Sequence, residues 1–147
     1  PAPAVPAHEL PLDSIDLLPP NQSELEILLG PDSQFNEPEE LFRQGLGKLV
    51  VKRGSEGSEL VSEERRESFP AYEGTARDTT AAGDAFNGAL AVALARGVGV
   101  QYALKVASAA GALAVTVRGA QPSMPSLEEV RNIMGKEAEG VFELEGD

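Results

Sequence analysis

Cysteine is absent from this 147-residue chain, and histidine occurs once, at His8. Without cysteine there are no disulfides and no thiolate metal sites, and His8 alone cannot build a histidine-based metal site or a catalytic triad. A reducing cytoplasm is compatible with that composition. No apolar run approaches the ~20 residues that span a bilayer, and the opening lacks the basic and apolar regions of a signal peptide, so we expect a soluble cytoplasmic protein with no membrane partner. Basic residues are also scarce: 12 Lys and Arg face 24 Asp and Glu, a net charge of -12 at pH 7. Nucleic acid is therefore not an expected partner, because phosphate-rich polymers require clustered cations. No G-x-G-x-x-G follows a predicted strand, which disfavours a dinucleotide-binding oxidoreductase. No internal repeat is apparent, and the opening Pro1–Ala7 has neither an initiator methionine nor the periodicity to begin a core.

What is present is 41% hydrophobic and 24% charged, enough apolar material to bury the core of one domain. Ile15, Leu17 and Leu18, stopped by Pro19-Pro20, predict a buried strand within Ser14–Pro20 that delivers Asn21 at its end. Helices are expected over Asn21–Gly30 and Pro38–Gln44, then a buried strand over Lys48–Lys52 and a turn, Gly54–Gly57, into Ser58–Val61. That turn is a candidate neighbour of phosphate. The charge run Glu63–Glu67 reads as a solvated loop or edge. Alanine-rich helices are expected over Ala81–Arg96 and from Gln101 to about Thr116. A third starts at Ser126, where Glu129 completes a capping box, with 119–125 looping before it and an acidic tail after Gly135 that is frayed or loosely docked. Strands alternating with helices point to an α/β fold whose ligands gather at the C-terminal ends of the strands.

The informative segment is Asp78-Thr79-Thr80-Ala81-Ala82-Gly83-Asp84-Ala85-Phe86-Asn87-Gly88-Ala89, a small-residue turn feeding the long helix. Ala81, Ala82 and Gly83 have little side chain to block an anion from backbone N–H groups at a helix start, and the helix dipole adds to the attraction. Phosphoryl transfer needs such electrostatic positioning, and Asp84 supplies a carboxylate beside it. A helix N-terminus favours the ionised carboxylate and so weakens it as a base, but a loose transition state lets the proton move late. Read from spacing alone, the segment fits equally well a helix capped by Thr79 or Thr80 in which Asp84 only complements the dipole.

The string DTTAAGDAFNGA closely resembles the C-terminal signature of the ribokinase family of carbohydrate kinases. The resemblance implies that Asp84 is the catalytic base and that the backbone of Ala81, Ala82 and Gly83 forms an anion hole. Other segments are similar in the same order. Asn21-Gln22-Ser23-Glu24 is similar to the family's Asn-x-x-Glu motif, implying ATP phosphate at Asn21 and, through water, Mg2+ at Glu24; the same four residues also form a capping pattern, and the readings can coexist. Lys52-Arg53-Gly54-Ser55-Glu56-Gly57 is similar to the nucleotide-contacting strand and turn, although Lys52 and Arg53 depart from the usual Thr-Leu-Gly, and Arg53 suits an exposed strand end as well as a phosphate. Ala114–Ser123 resembles the segment that, with the loop at Asp78 and Thr80, partly encloses a monovalent cation. The resemblance implies potassium held by Asp78, Thr80, Ala114, Val117, Gly119 and Ser123, ATP contacts at Gly83 and Asp84, and Ser108 near the adenine pocket.

The resemblance implies the C-terminal portion of a three-layer α/β/α fold, here 1–134 with a tail at 135–147, while the family's N-terminal sugar-binding part and its dimerising lid have no counterpart. We therefore expect the full-length parent, a homodimer, to use ATP to phosphorylate a sugar, ribose to ribose 5-phosphate first, and this stretch to be inactive alone. A fructokinase remains open, as does a 2-keto-3-deoxygluconate kinase on account of Lys52. A non-catalytic nucleotide-binding fragment is the alternative of another class.

Overall fold

The computed structural model describes residues 4–31, 35–73, 79, 81–117 and 124–140. Where composition suggests one domain, the chain divides into two compact units, Pro1–Pro70 and Ala71–Asp147. Each has its own buried cluster.

In the first unit, strand β1 (Leu17–Leu18) is followed by helix α1 (Gln22–Leu28), helix α2 (Pro38–Arg43) and strands β2 (Lys48–Lys52), β3 (Ser58–Val61) and β4 (Arg66–Phe69). They form a four-stranded sheet of order β1-β2-β3-β4. β1 and β2 are parallel, Leu17 opposite Lys48, and the later pairs are antiparallel, with Leu49 opposite Val61 and Leu60 opposite Glu67. The strand predicted over Ser14–Pro20 shrinks to two residues because Ser14 belongs to a 3-10 turn, Leu12–Ser14, and because Pro19 and Pro20 have no N–H to extend the ladder. The chain stays alongside β2 nevertheless. Gly47 N–H donates to the Ile15 carbonyl (3.0 Å) and Lys52 N–H to that of Pro20 (2.9 Å). A side chain at Gly47 would place its Cβ 2.5 Å from the Asp16 carbonyl oxygen, so this parallel crossing requires glycine.

The opening does contribute to a core, contrary to its lack of periodicity. Ala7 and Leu12, in proline-preceded 3-10 turns, are buried with Leu18, Leu41, Leu49 and Val61. Short 3-10 turns bury single residues and leave no repeat to read. In α1, Leu28 is buried and Leu25 packs on the core, whereas Ile27 points out. The charge run splits: Glu63 and Glu64 lie in the turn where Ser62 N–H meets the Arg65 carbonyl, and Arg66 and Glu67 begin β4, at the edge of the described sheet.

The second unit holds α3 (Ala82–Ala95), α4 (Val100–Ala114) and α5 (Leu127–Met134). Ala85, Phe86, Leu90 and Ala93 are the buried side of α3. Val106 to Ala110 are all buried, a run longer than one turn, so the middle of α4 is covered on every side, while Tyr102 nearer its start is exposed. Small residues let such a helix approach its neighbours closely. Val130 and Met134, one turn apart on α5, pack on Val106, Ala109 and Ala110. α5 begins with the predicted capping box: Ser126 Oγ accepts from Glu129 N–H (3.3 Å), and a Glu129 carboxylate oxygen accepts from Ser126 N–H (2.7 Å). The tail after Gly135 continues as 3-10 turns to Gly140, tied to α4 by Lys105 Nζ and the Glu137 carboxylate at 2.7 Å.

Candidate active site

In the first unit the predicted residues gather at the C-terminal ends of the parallel strands. Asn21, after β1, forms an isolated bridge with Lys52, the last residue of β2. Asn21 is also the N-cap of α1. Its Oδ1 accepts from Glu24 N–H, and a Glu24 carboxylate oxygen accepts from Asn21 N–H, both at 2.8 Å. The capping reading is thus present in full, and it occupies one carboxylate oxygen of Glu24. Beyond Lys52, Gly54–Glu56 make an exposed 3-10 turn closed by Arg53 N–H on the Gly57 carbonyl at 2.8 Å. Gly57 has φ +92°, which suits glycine alone.

Arg53 is exposed and its guanidinium pairs with Glu59 on β3. Glu59 also stands 3.9 Å from Arg66 on β4, and Arg66 reaches Glu39 of α2 at 2.9 Å. A hydrogen bond from its own backbone N–H, and then Arg66, holds the Glu39 carboxyl below its usual range. This network went unread in the sequence, since Glu59 and Arg66 meet only through the β3–β4 register. Ser58 next to it is buried, and its hydroxyl has no hydrogen-bond partner among the described residues.

In the second unit the long motif forms the start of α3. Ala81, 3% exposed, occupies the N-cap position and has only a methyl to offer. Ala82 N–H donates to the Thr79 carbonyl at 3.3 Å. Gly83 and Asp84 are exposed second and third residues of the helix, whose N–H groups have no acceptor within it. Asp84 is therefore an exposed carboxylate beside N–H groups that the helix itself leaves without acceptors, and it borders a groove of about 610 Å3 that runs past Gly88, Val92 and Leu127. Ser108 on α4 is 8% exposed, and its hydroxyl lacks a partner among the described residues. Ala114 ends α4, and its carbonyl accepts from Val117 N–H at 3.4 Å. Asp78, Thr80, Gly119 and Ser123 lie outside the described residues. No cluster of three or more potential metal ligands occurs among the described residues, and no described helix is long and apolar enough to cross a membrane.

The pattern of the pfkB family carbohydrate kinases matches residues 1–127. The chain is similar to the ribokinase of Bacillus subtilis, 36% identical over 134 residues, which cover 91% of this chain and 44% of that protein. Its fold is similar to a Thermotoga maritima ribokinase structure, with a TM-score of 0.81 and 36% identity over 91% of this chain and 46% of that one. It is also similar to an Arabidopsis thaliana ribokinase solved with ribose and ATP, with a TM-score of 0.74 and 37% identity over 84% of this chain and 42% of that one. The chain thus spans less than half the length of these relatives. With a family pattern that runs from the first residue through the whole of α3 and α4, and an α/β fold shared with solved ribokinases, the chain belongs to the pfkB family of carbohydrate kinases.

Proposed function

We propose that the protein, at the length of its relatives, transfers the γ-phosphoryl group of ATP to a sugar hydroxyl, with Asp84 as base. The observation that carries this reading is the first turn of α3: an exposed carboxylate beside backbone donors that no side chain at the N-cap position closes. The acceptor hydroxyl oxygen attacks the γ-phosphorus, the bond to the β–γ bridging oxygen breaks, and ADP leaves. Asp84 orients the hydroxyl and receives its proton late, while the Gly83 N–H and its neighbours stabilise charge on the transferring oxygens. Family membership and the Arabidopsis structure with ATP support nucleotide use. So does the buried Ser108 hydroxyl, which has no partner among the described residues, since an unpaired buried donor is costly and a ligand can complete it.

Asn21 and Lys52 serve the nucleotide phosphates in this reading, with Gly54–Gly57 as the adjoining turn. The Glu24 oxygen outside the cap suits Mg2+ held through water, an ion that keeps most of its hydration shell and needs no multi-carboxylate cage. A structure from E. coli, 31% identical to this chain, was solved with ATP and Mg2+. Held there by Glu24 through water, Mg2+ would neutralise phosphate charge during transfer. For potassium, Ala114 and Val117 offer backbone carbonyls, and the Ala114 oxygen keeps a second lone pair.

Ribose is the first-choice acceptor, supported by the ribokinase relatives. A fructokinase reading is supported by a rice fructokinase 34% identical over 130 residues, and Lys52 keeps a keto-deoxy sugar acid open. The test is turnover of the full-length protein on a panel of these sugars, alongside Asp84→Asn. Loss of turnover by several orders of magnitude is expected, and unchanged turnover in the variant would refute the mechanism.

A further inference from the structure

We infer that Gly111, on α4, is a positioning residue that sets where the first turn of α3, and with it Asp84, can sit. The inference rests on the reading of Asp84 as the base. Gly111 lies outside every motif described above, one turn before α4 ends. A methyl group on its Cα would stand 3.5 Å from the Ala82 carbonyl oxygen, 3.7 Å from Phe86 Cβ and 3.9 Å from the Phe86 ring. These are ordinary contact distances, so the free space ends one methyl group out.

The atoms it meets bracket the site. Ala82 and Phe86 are joined by the helical N–H to carbonyl bond that closes the turn containing Gly83 and Asp84. The turn has little room to retreat. Ala81, Ala85 and Phe86 are 3%, 4% and 7% exposed, and Ala82 N–H is engaged by the Thr79 carbonyl. A longer side chain at 111 must therefore push the Ala82 carbonyl along α3 or rotate the Phe86 ring, and both displace Asp84. If α4 yields instead, the shift reaches Val115, whose N–H is bound to the Gly111 carbonyl at 3.3 Å, and then Val117.

The experiment measures kcat, KM for ATP and thermal unfolding in the full-length protein. Gly111→Ala should keep kcat within roughly twofold, because its methyl stays in ordinary contact. Gly111→Leu retains a good helix former, but a displacement on the order of 1 Å should lower kcat by about 100-fold, with KM for ATP changing far less. Adding Phe86→Ala to Gly111→Leu makes room and should restore kcat per folded molecule while lowering the unfolding temperature further. A merely structural role predicts the opposite, with the double variant worse in both respects. Gly111→Val replaces Gly111→Leu if the latter does not fold, and failure of both to fold overturns the inference. So does a folded Gly111→Leu with wild-type kcat. Asp84→Asn separates the two readings: an inactive Asp84→Asn beside a fully active Gly111→Leu sinks only the role of Gly111, and an active Asp84→Asn sinks the base itself.

Discussion

Asn21 and Glu24 hold each other across the first turn of α1, each side chain accepting the other's backbone N–H at 2.8 Å. Glu24 therefore has a structural duty that does not need its charge, which allows the two to be separated. Glutamine preserves the hydrogen bond of a capping box. Glu24→Gln should unfold at the temperature of the parent protein, whereas Asn21→Ala should lose about 1 kcal/mol. If Glu24 also orders water around Mg2+, Glu24→Gln should weaken the Mg2+ dependence of turnover by roughly 10- to 100-fold. An unaltered Mg2+ titration would leave Glu24 as a cap alone.

Arg53 and Glu59 bear on the nucleotide in the same way. An exposed arginine already paired with a carboxylate contributes little, since such pairs are worth about 0–1 kcal/mol. Arg53→Ala should then leave KM for ATP within roughly threefold, and Lys52→Ala should raise it more. The reverse order in ATP titrations would assign the phosphate contact to Arg53.

Opposite changes in stability are expected from two neighbouring helices. Leu104 is fully buried in α4, and Leu104→Ala should cost about 2–5 kcal/mol. Gly88 lies inside α3 with nothing within 4 Å of an added methyl, and Gly88→Ala should stabilise by about 1 kcal/mol. Urea denaturation reads both signs.

The cap of α5 is sensitive to acid. Ser126 N–H, and then the Ser126 hydroxyl, hold the Glu129 carboxyl below its usual range. A carboxylate so lowered contributes stability that is complete above about pH 4.3, the free value, and is lost as pH falls through the lower folded-state value. Lys105 runs the other way. Its hydrogen bond to Glu137 raises it, so that contribution is complete below about pH 10.4 and fades as pH rises through the higher folded-state value. Amide exchange in α5 across the acid range should show the first effect, and Glu129→Gln should flatten it.

The parts of this structure that the sequence discloses are those made by near neighbours. The capping boxes of α1 and α5 each close within four residues, and α3 and α4 show their composition openly. Ala7 and Leu12 are buried by isolated 3-10 turns, which carry no period. The Arg53, Glu59, Arg66 and Glu39 network depends on a strand register set by the turn after Val61. Asp84 is legible in a different sense: spacing alone leaves it between a base and a dipole partner, and it is the resemblance to a family that favours the base. Gly111 was not legible at all, because a glycine in an alanine-rich helix looks like filler until Ala82 and Phe86 are seen against it.

The difference between the helix starts has a consequence for solvent. α1 and α5 are closed by their own side chains, whereas Ala81 leaves the donors of Gly83 and Asp84 to be answered from outside the helix. Where no group of the protein accepts from them, that task falls to water. If that turn receives phosphate as proposed, the anion would exchange with water rather than with a capping side chain, and its binding should be tuned by osmolytes and by the anions of the buffer.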